Sequence, residues 1–152
     1  MMTSLEYYLQ DGANWQAKAI LAILQMRQNE VLDIVWNKET HRNEGDIYVG
    51  RYENCREQGY VFTLSYNGKQ RHYAVYEHRN SDDIIVLISN EHSINTPSIE
   101  TMWADKPENA TKYDYDKCFP VYNFEECVDF IVEDMSKILK EWKDKTGRLL
   151  QM

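Results

Sequence analysis

Asn67 and Gly68 stand between two runs of alternating side chains, and this dipeptide restricts the fold more than any other feature of the sequence. A two-residue type I′ turn needs positive φ at both central positions, which Asn and Gly tolerate best. Residues 60–66 and 69–77 alternate with the period of two expected of strands. The sequence therefore predicts a β-hairpin whose register is fixed by its turn. The predicted register pairs Tyr66 with Lys69, Leu64 with Arg71, Phe62 with Tyr73, and Tyr60 with Val75.

Further strands are predicted on both sides of this hairpin. Residues 47–52 alternate, and residues 84–89 are apolar on both faces, which is typical of a central or doubly covered strand. A four-residue turn at 80–83 would fix the register between the hairpin and residues 84–89. That register pairs Glu77 with Val86, Tyr76 with Leu87, Val75 with Ile88, and His78 with Ile85.

Helical spacing appears towards both ends of the chain. A capping box at residues 3–6 predicts a short first helix, and residues 15–29 predict a second with an apolar side. Residues 31–36 fit either a further helical turn or a strand, and their β-branched content favours the strand. Residues 123–146 predict a long amphipathic helix that Gly147 ends.

These elements predict an α+β fold. We expect an antiparallel meander of three to five strands, two N-terminal helices, and a long C-terminal amphipathic helix packed on one face. At 152 residues the chain fits one globular domain, residues 1–152. Residues 90–122 are predicted to be a long loop within that domain, since they carry all three prolines and no clear periodicity.

The net charge of −8 is unevenly distributed along the sequence. Residues 77–116 carry nine acidic and three basic residues. Direct binding to nucleic acid is not expected, because contact with phosphate backbones needs clustered lysine and arginine. A basic protein surface is the partner that this charge favours. The competing interpretation is that an acidic surface keeps the protein soluble.

Composition also bears on the compartment. No run approaches eighteen apolar residues, and the first residues lack a basic region followed by an apolar run, so neither a membrane span nor a secretory signal is expected. Three cysteines without CxxC spacing favour a reducing, cytoplasmic compartment. The sequence does not indicate an oligomeric state.

The sequence carries no recognised catalytic motif, so an enzyme is the less favoured class. His72 and His78 are weak candidates for a general acid or base on one strand, with Tyr76 between them. Six residues of strand separate the two histidines by roughly 20 Å, which is too far for one shared metal ion. No metal or cofactor is predicted. The alternative function is a small enzyme or small-molecule-binding domain that uses this sheet face.

Aromatic and acidic residues alternate in the predicted loop, and this pattern gives the leading function. Tryptophan and tyrosine anchor protein interfaces, and carboxylates around them would meet arginine and lysine on a partner. We therefore expect a small acidic binding protein that docks on a basic macromolecular partner, such as an inhibitor or immunity-type antagonist. The competing interpretation is a loop strapped across the sheet with its aromatics packed inward. The predicted partner-binding residues are Trp103, Asp105, Glu108, Tyr113, Asp114, Tyr115 and Asp116.

Overall fold

The fold is taken from a computed structural model that describes residues 15–53, 58–77, 84–89, 117–119 and 123–151. We call these residues the scaffold. Its helices are α1 (Trp15–Leu32) and α2 (Phe124–Gln151), with a 3₁₀ turn at Asp33–Val35. Its strands are β1 (Trp36–Asn37), β2 (Arg42–Asn43), β3 (Gly45–Glu53), β4 (Gln58–Tyr66), β5 (Lys69–Glu77), β6 (Ile84–Ser89) and β7 (Lys117–Phe119).

The α+β class is confirmed. Strands β3 to β7 form one antiparallel sheet in the order of the sequence, and β1 and β2 form a separate two-stranded hairpin. Each strand of the large sheet lies beside its neighbour in the chain, which is the meander that the alternating segments predict. Neither helix of the scaffold is long and apolar enough to cross a membrane.

The Asn67-Gly68 turn has the predicted geometry. The φ angles are 52° at Asn67 and 80° at Gly68, both in the left-handed region that a type I′ turn requires. The register between β4 and β5 is confirmed at each predicted pair, from Tyr66 with Lys69 to Tyr60 with Val75. Turn chemistry thus decided the pairing of the two central strands.

The predicted register between β5 and β6 is wrong by two residues. Glu77 pairs with Ile84, where the four-residue turn had placed Val86, and Tyr76 pairs with Ile85. The connection between the strands therefore spans six residues. A shift of two keeps each side chain on its predicted face, because the side-chain period of a strand is two.

The strand prediction for residues 31–36 is also wrong. Val31 and Leu32 continue α1, and a 3₁₀ turn follows before Trp36 enters β1. Val31, Leu32 and Val35 are all buried, and their spacing places them on one side of a helix. Packing of that side therefore outweighs the β propensity of the branched residues.

Three further predictions concern the first helix, the loop at residues 90–122 and the end of α2. The predicted first helix lies outside the described residues. Lys117–Phe119 forms β7 within the predicted loop of residues 90–122, and Phe119 is buried there. The predicted end of α2 at Gly147 is wrong, because the helix runs on to Gln151. One glycine costs a helix only about 1 kcal/mol relative to alanine, which its neighbours can offset.

The hydrophobic core lies between one face of the sheet and the two helices. The sheet contributes large side chains that are fully buried, among them Phe62, Leu64 and Tyr73. From α2, Cys127, Ile131, Met135 and Leu139 join the same cluster, and from α1 so do Ile20, Leu21 and Leu24. Val61, Ala74 and Ile85, on the opposite sheet face, are buried as well.

Candidate functional site

The seven residues predicted to bind a partner lie outside the described residues, but the strands that flank them are described. We call residues 90–116 the acidic segment. It follows β6 and precedes β7, and these two strands are antiparallel neighbours with Val86 opposite Lys117. Ser89 lies opposite His72, near the start of β5. The acidic segment therefore leaves β6 near the end of the sheet that carries the Asn67-Gly68 turn and returns to β7 at the level of Val86 and Val75.

Charge is divided unequally between the scaffold and the rest of the chain. The scaffold carries fourteen acidic and thirteen basic residues, which leaves one negative charge. The remaining residues carry eleven acidic and four basic residues, which leaves seven. Six of those eleven acids belong to the acidic segment, beside only Lys106 and Lys112. The scaffold is thus nearly neutral, and the acidity of the protein is concentrated elsewhere.

A polar cluster of Arg71, Tyr73 and Asp134 joins β5 to α2. Arg71 donates two hydrogen bonds to Asp134, from Nε to Oδ2 at 2.6 Å and from a terminal nitrogen to Oδ1 at 3.0 Å. The Tyr73 hydroxyl donates to the same Oδ2 at 2.5 Å. Only 16% of the Arg71 side chain and 22% of the Asp134 side chain are exposed. The cluster is therefore a mostly buried, bidentate ion pair between the sheet and α2.

The pKa shifts within this polar cluster indicate a structural role. Burial, followed by the hydrogen bond to Asp134, raises the pKa of Tyr73 far above its ordinary value. Burial, the largest single influence, acts to lower the pKa of Arg71, but the hydrogen bonds and charges of Asp134 and Tyr73 together outweigh it and the pKa of Arg71 is raised. Near neutral pH the tyrosine therefore stays protonated and the arginine stays charged. Neither is suited to transferring a proton.

This cluster was not among the sequence predictions, although the sequence carries a signal for it. The hairpin register already placed Arg71 opposite Leu64, on the face that carries Tyr73. A charged residue on an apolar face needs a partner of opposite charge. Asp134, between Ile131 and Met135 on the helix, was the acid placed to supply it.

A second ion pair joins the two helices. Arg27 on α1 binds Asp129 on α2 and also Glu30 one turn further along α1, with the Arg27 Nε to Glu30 Oε2 bond at 2.9 Å. The pKa of Arg27 is raised by its hydrogen bonds to Glu30 and then to Asp129. Asp129 is 55% exposed, so solvent screens this pair far more than the Arg71–Asp134 pair.

The sheet face predicted for the alternative active site is buried at His72 and Tyr76, the two of its three residues that the structure describes. His72 is only 6% exposed, and its Nδ1 lies 2.9 Å from the Thr63 hydroxyl on β4. Tyr76 is 1% exposed. Burial lowers the pKa of His72, so the ring is neutral near pH 7. His78 lies outside the described residues, and its predicted pairing with Ile85 is wrong because Tyr76 occupies that position.

An open cavity of about 370 Å³ lies beside the β1–β2 hairpin. Trp36, 44% exposed, and Tyr66 line it together with Glu44 and Lys143. Some of its polar groups have partners within the protein, since Lys143 donates to the carbonyl of Ile34 at 3.0 Å and Glu44 accepts from the Asn37 amide. We base no function on this cavity.

The described residues give no support for a metal site. No three histidine, cysteine, aspartate or glutamate side chains come together there in a way that could hold an ion. Burial raises the pKa of the Cys127 thiol to about 12, so that thiol does not ionise near neutral pH.

Comparisons with protein-family models, with curated proteins and with solved structures find no match. The function must therefore be inferred from the residues of this chain alone.

Proposed function

We propose that the protein is a small acidic binding protein that docks on a basic surface of another macromolecule. An inhibitor or immunity-type antagonist is the kind of activity that we mean. The observation that carries the proposal is the division of charge, since a nearly neutral scaffold is joined to segments that hold seven of the eight net negative charges. We assign the docking surface to the acidic segment.

The use of acids within the scaffold supports this assignment. Asp134 and Asp129 bind arginines on neighbouring elements, so these scaffold acids contribute to the fold. The six acids and two bases between β6 and β7 form a concentration of negative charge that the scaffold does not have. A cluster of like charges raises the rate of encounter with an oppositely charged partner and disfavours partners of the same charge.

The attachment of the acidic segment also suits docking. Its two ends join adjacent strands of one sheet, so the entropy cost of bringing those ends together is met by folding. Trp103, Tyr113 and Tyr115 lie among its acids in the sequence. Aromatic residues of this kind supply binding energy at the centre of an interface, and the surrounding charges supply speed and selectivity.

The alternative, a small enzyme or small-molecule-binding domain, is the weaker proposal. It depends on His72, Tyr76 and His78, and the first two are buried. A general acid or base must come within hydrogen-bond reach of its substrate. The Nδ1 atom of His72 is already occupied by Thr63.

Charge reversal with a matched control tests the proposal. After capture of the partner from the native host and its identification by mass spectrometry, its affinity is measured for a variant with Asp105, Glu108, Asp114 and Asp116 changed to lysine. A control variant carries the same change at four exposed scaffold acids: Glu39, Glu133, Glu141 and Asp144. We expect the first variant to bind at least tenfold more weakly and the control to bind within about threefold of wild type.

Aromatic truncation distinguishes anchoring from steering. Trp103→Ala and Tyr115→Ala should raise the dissociation rate, because hot-spot side chains act mainly on the lifetime of a complex. The proposal is wrong if the control reversal weakens binding and both the segment reversal and the aromatic truncations leave it unchanged. The docking surface would then belong to the scaffold.

A further inference from the structure

Strand β3 ends the sheet on one side. It pairs with β4 along all nine residues from Gly45 to Glu53, and no other strand of the scaffold joins the large sheet beyond it. Natural edge strands are usually protected by charged side chains, proline, a bulge, short length or a covering segment. This strand has no proline and no lysine, and its register shows no bulge. The Asp46 carboxylate accepts from the Ile47 N–H at 2.8 Å, so the central part of the strand around Val49 is the part suited to pairing.

The Asn67-Gly68 turn determines which backbone groups of β3 point outward. In a two-residue hairpin the residues that flank the turn, here Tyr66 and Lys69, form a hydrogen-bonded pair. Directions alternate along β4, so Thr63 directs its N–H and C=O towards β3 and bonds to its partner there, Tyr48. The next residue of β3, Val49, therefore directs its N–H and C=O away from the sheet.

Side chains on either side of Val49 fit a two-fold arrangement. Tyr48 is 51% exposed, and a Cβ placed on Gly50 would meet nothing within 4 Å. Both lie on the sheet face opposite the helices. If two copies of β3 pair antiparallel about Val49, each Tyr48 lies directly opposite the Gly50 of the other copy. Such a pair without mutual hydrogen bonds brings Cα atoms to about 4.5 Å, which lets an aromatic ring cover a glycine.

We propose that the protein self-associates through β3, with the strands of two copies antiparallel and Val49 opposite Val49. The two five-stranded sheets then form one continuous sheet, and the ring of each Tyr48 fills the open space over Gly50 of the second copy. This proposal is independent of the acidic segment and of the docking function. A single pair of edge strands buries less than the roughly 1,600 Å² of a standard interface, so we expect a weak, concentration-dependent dimer.

Cysteine cross-linking between two variants tests the register. In a background with Cys55→Ser and Cys118→Ser, a Tyr48→Cys chain is mixed with a Gly50→Cys chain under mild oxidation. The mixed dimer keeps one Tyr48 ring over one Gly50, and it also brings the two new thiols together. We expect a cross-linked dimer from the mixture and little from either variant alone. Cross-linking of the Tyr48→Cys chain with itself, or none in the mixture, would overturn the proposed pairing.

Sedimentation velocity over a concentration series tests the association itself. Val49→Pro removes an outward N–H, which an edge strand tolerates, and Gly50→Thr fills the space that the second copy's ring needs. We expect wild type to dimerise with increasing concentration and both variants to stay monomeric, with circular dichroism unchanged. Met26→Thr, which removes an 84% exposed side chain from α1, is the control and should dimerise as wild type does. A wild type that stays monomeric throughout, or a Val49→Pro variant that still dimerises, would overturn the proposal.

Discussion

The scaffold and the acidic segment differ in their balance of charge. Asp134 and Asp129 in the scaffold are bound by Arg71 and Arg27, and the scaffold as a whole is almost neutral. The acidic segment carries three times as many acids as bases. We propose that stability and binding depend on separate sets of charges. Changes in the scaffold should therefore alter the free energy of unfolding, and changes in the acidic segment should alter binding.

The largest loss of unfolding free energy is expected from a change in the polar cluster between β5 and α2. Asp134→Ala leaves the mostly buried guanidinium of Arg71 and the Tyr73 hydroxyl without their acceptor. Removing one partner of a buried ion pair costs about 3 kcal/mol of unfolding free energy. Urea denaturation measures this loss. Asp129→Ala is the matched control, and its cost should stay below about 1 kcal/mol because that pair is exposed. Equal losses in the two variants would show that burial does not separate these ion pairs.

A smaller effect is expected at the hairpin turn. Gly68 has φ of 80°, and the left-handed region costs a residue with a side chain about 1–2 kcal/mol. Gly68→Val should therefore lower the melting temperature, with β-branching adding to the strain. Gly50→Val, melted at a concentration where the chain is monomeric, is the control, because its added Cβ meets nothing within 4 Å in the same chain. A Gly68→Val variant that melts with wild type would show that the turn does not hold the register.

The smallest effect concerns pH and His72. Burial lowers its pKa in the folded state, so the unfolded state takes up a proton first as pH falls below about 6.5. Stability from neutral His72 is thus complete above that pH and is lost as pH falls towards the folded pKa. The contribution is at most about 1.4 kcal/mol per pH unit for one group. In His72→Gln the decline in unfolding free energy between pH 7 and 5 should be shallower, and an unchanged slope would contradict this role.

Local chemistry made the hairpin predictable. Asn67 and Gly68 specify a turn, the turn specifies the β4–β5 register, and the alternation specifies which face meets the helices. The same reasoning failed between β5 and β6, because residues 80–83 carry no dipeptide that requires one turn type. It also missed β7, since three residues are too few to establish a period.

Long-range contacts account for the other differences between sequence and structure. Val31 and Leu32 stay helical because they pack into the core, which no local propensity records. The Arg71–Asp134 pair joins residues 63 positions apart, so spacing along the chain could not reveal it. The candidate docking residues were chosen by charge and aromatic content alone. Their role stays a prediction.

Association kinetics at increasing salt test the docking proposal most directly. Charges at the rim of an interface act mainly on encounter and are screened over about 10 Å at 0.1 M salt. With the captured partner, the association rate of wild type should fall at least tenfold between about 0.05 M and 0.5 M salt, while its dissociation rate changes little. The variant with Asp105, Glu108, Asp114 and Asp116 changed to lysine should associate slowly at every salt concentration. An association rate that is independent of salt, and equal in the two proteins, would contradict the proposal.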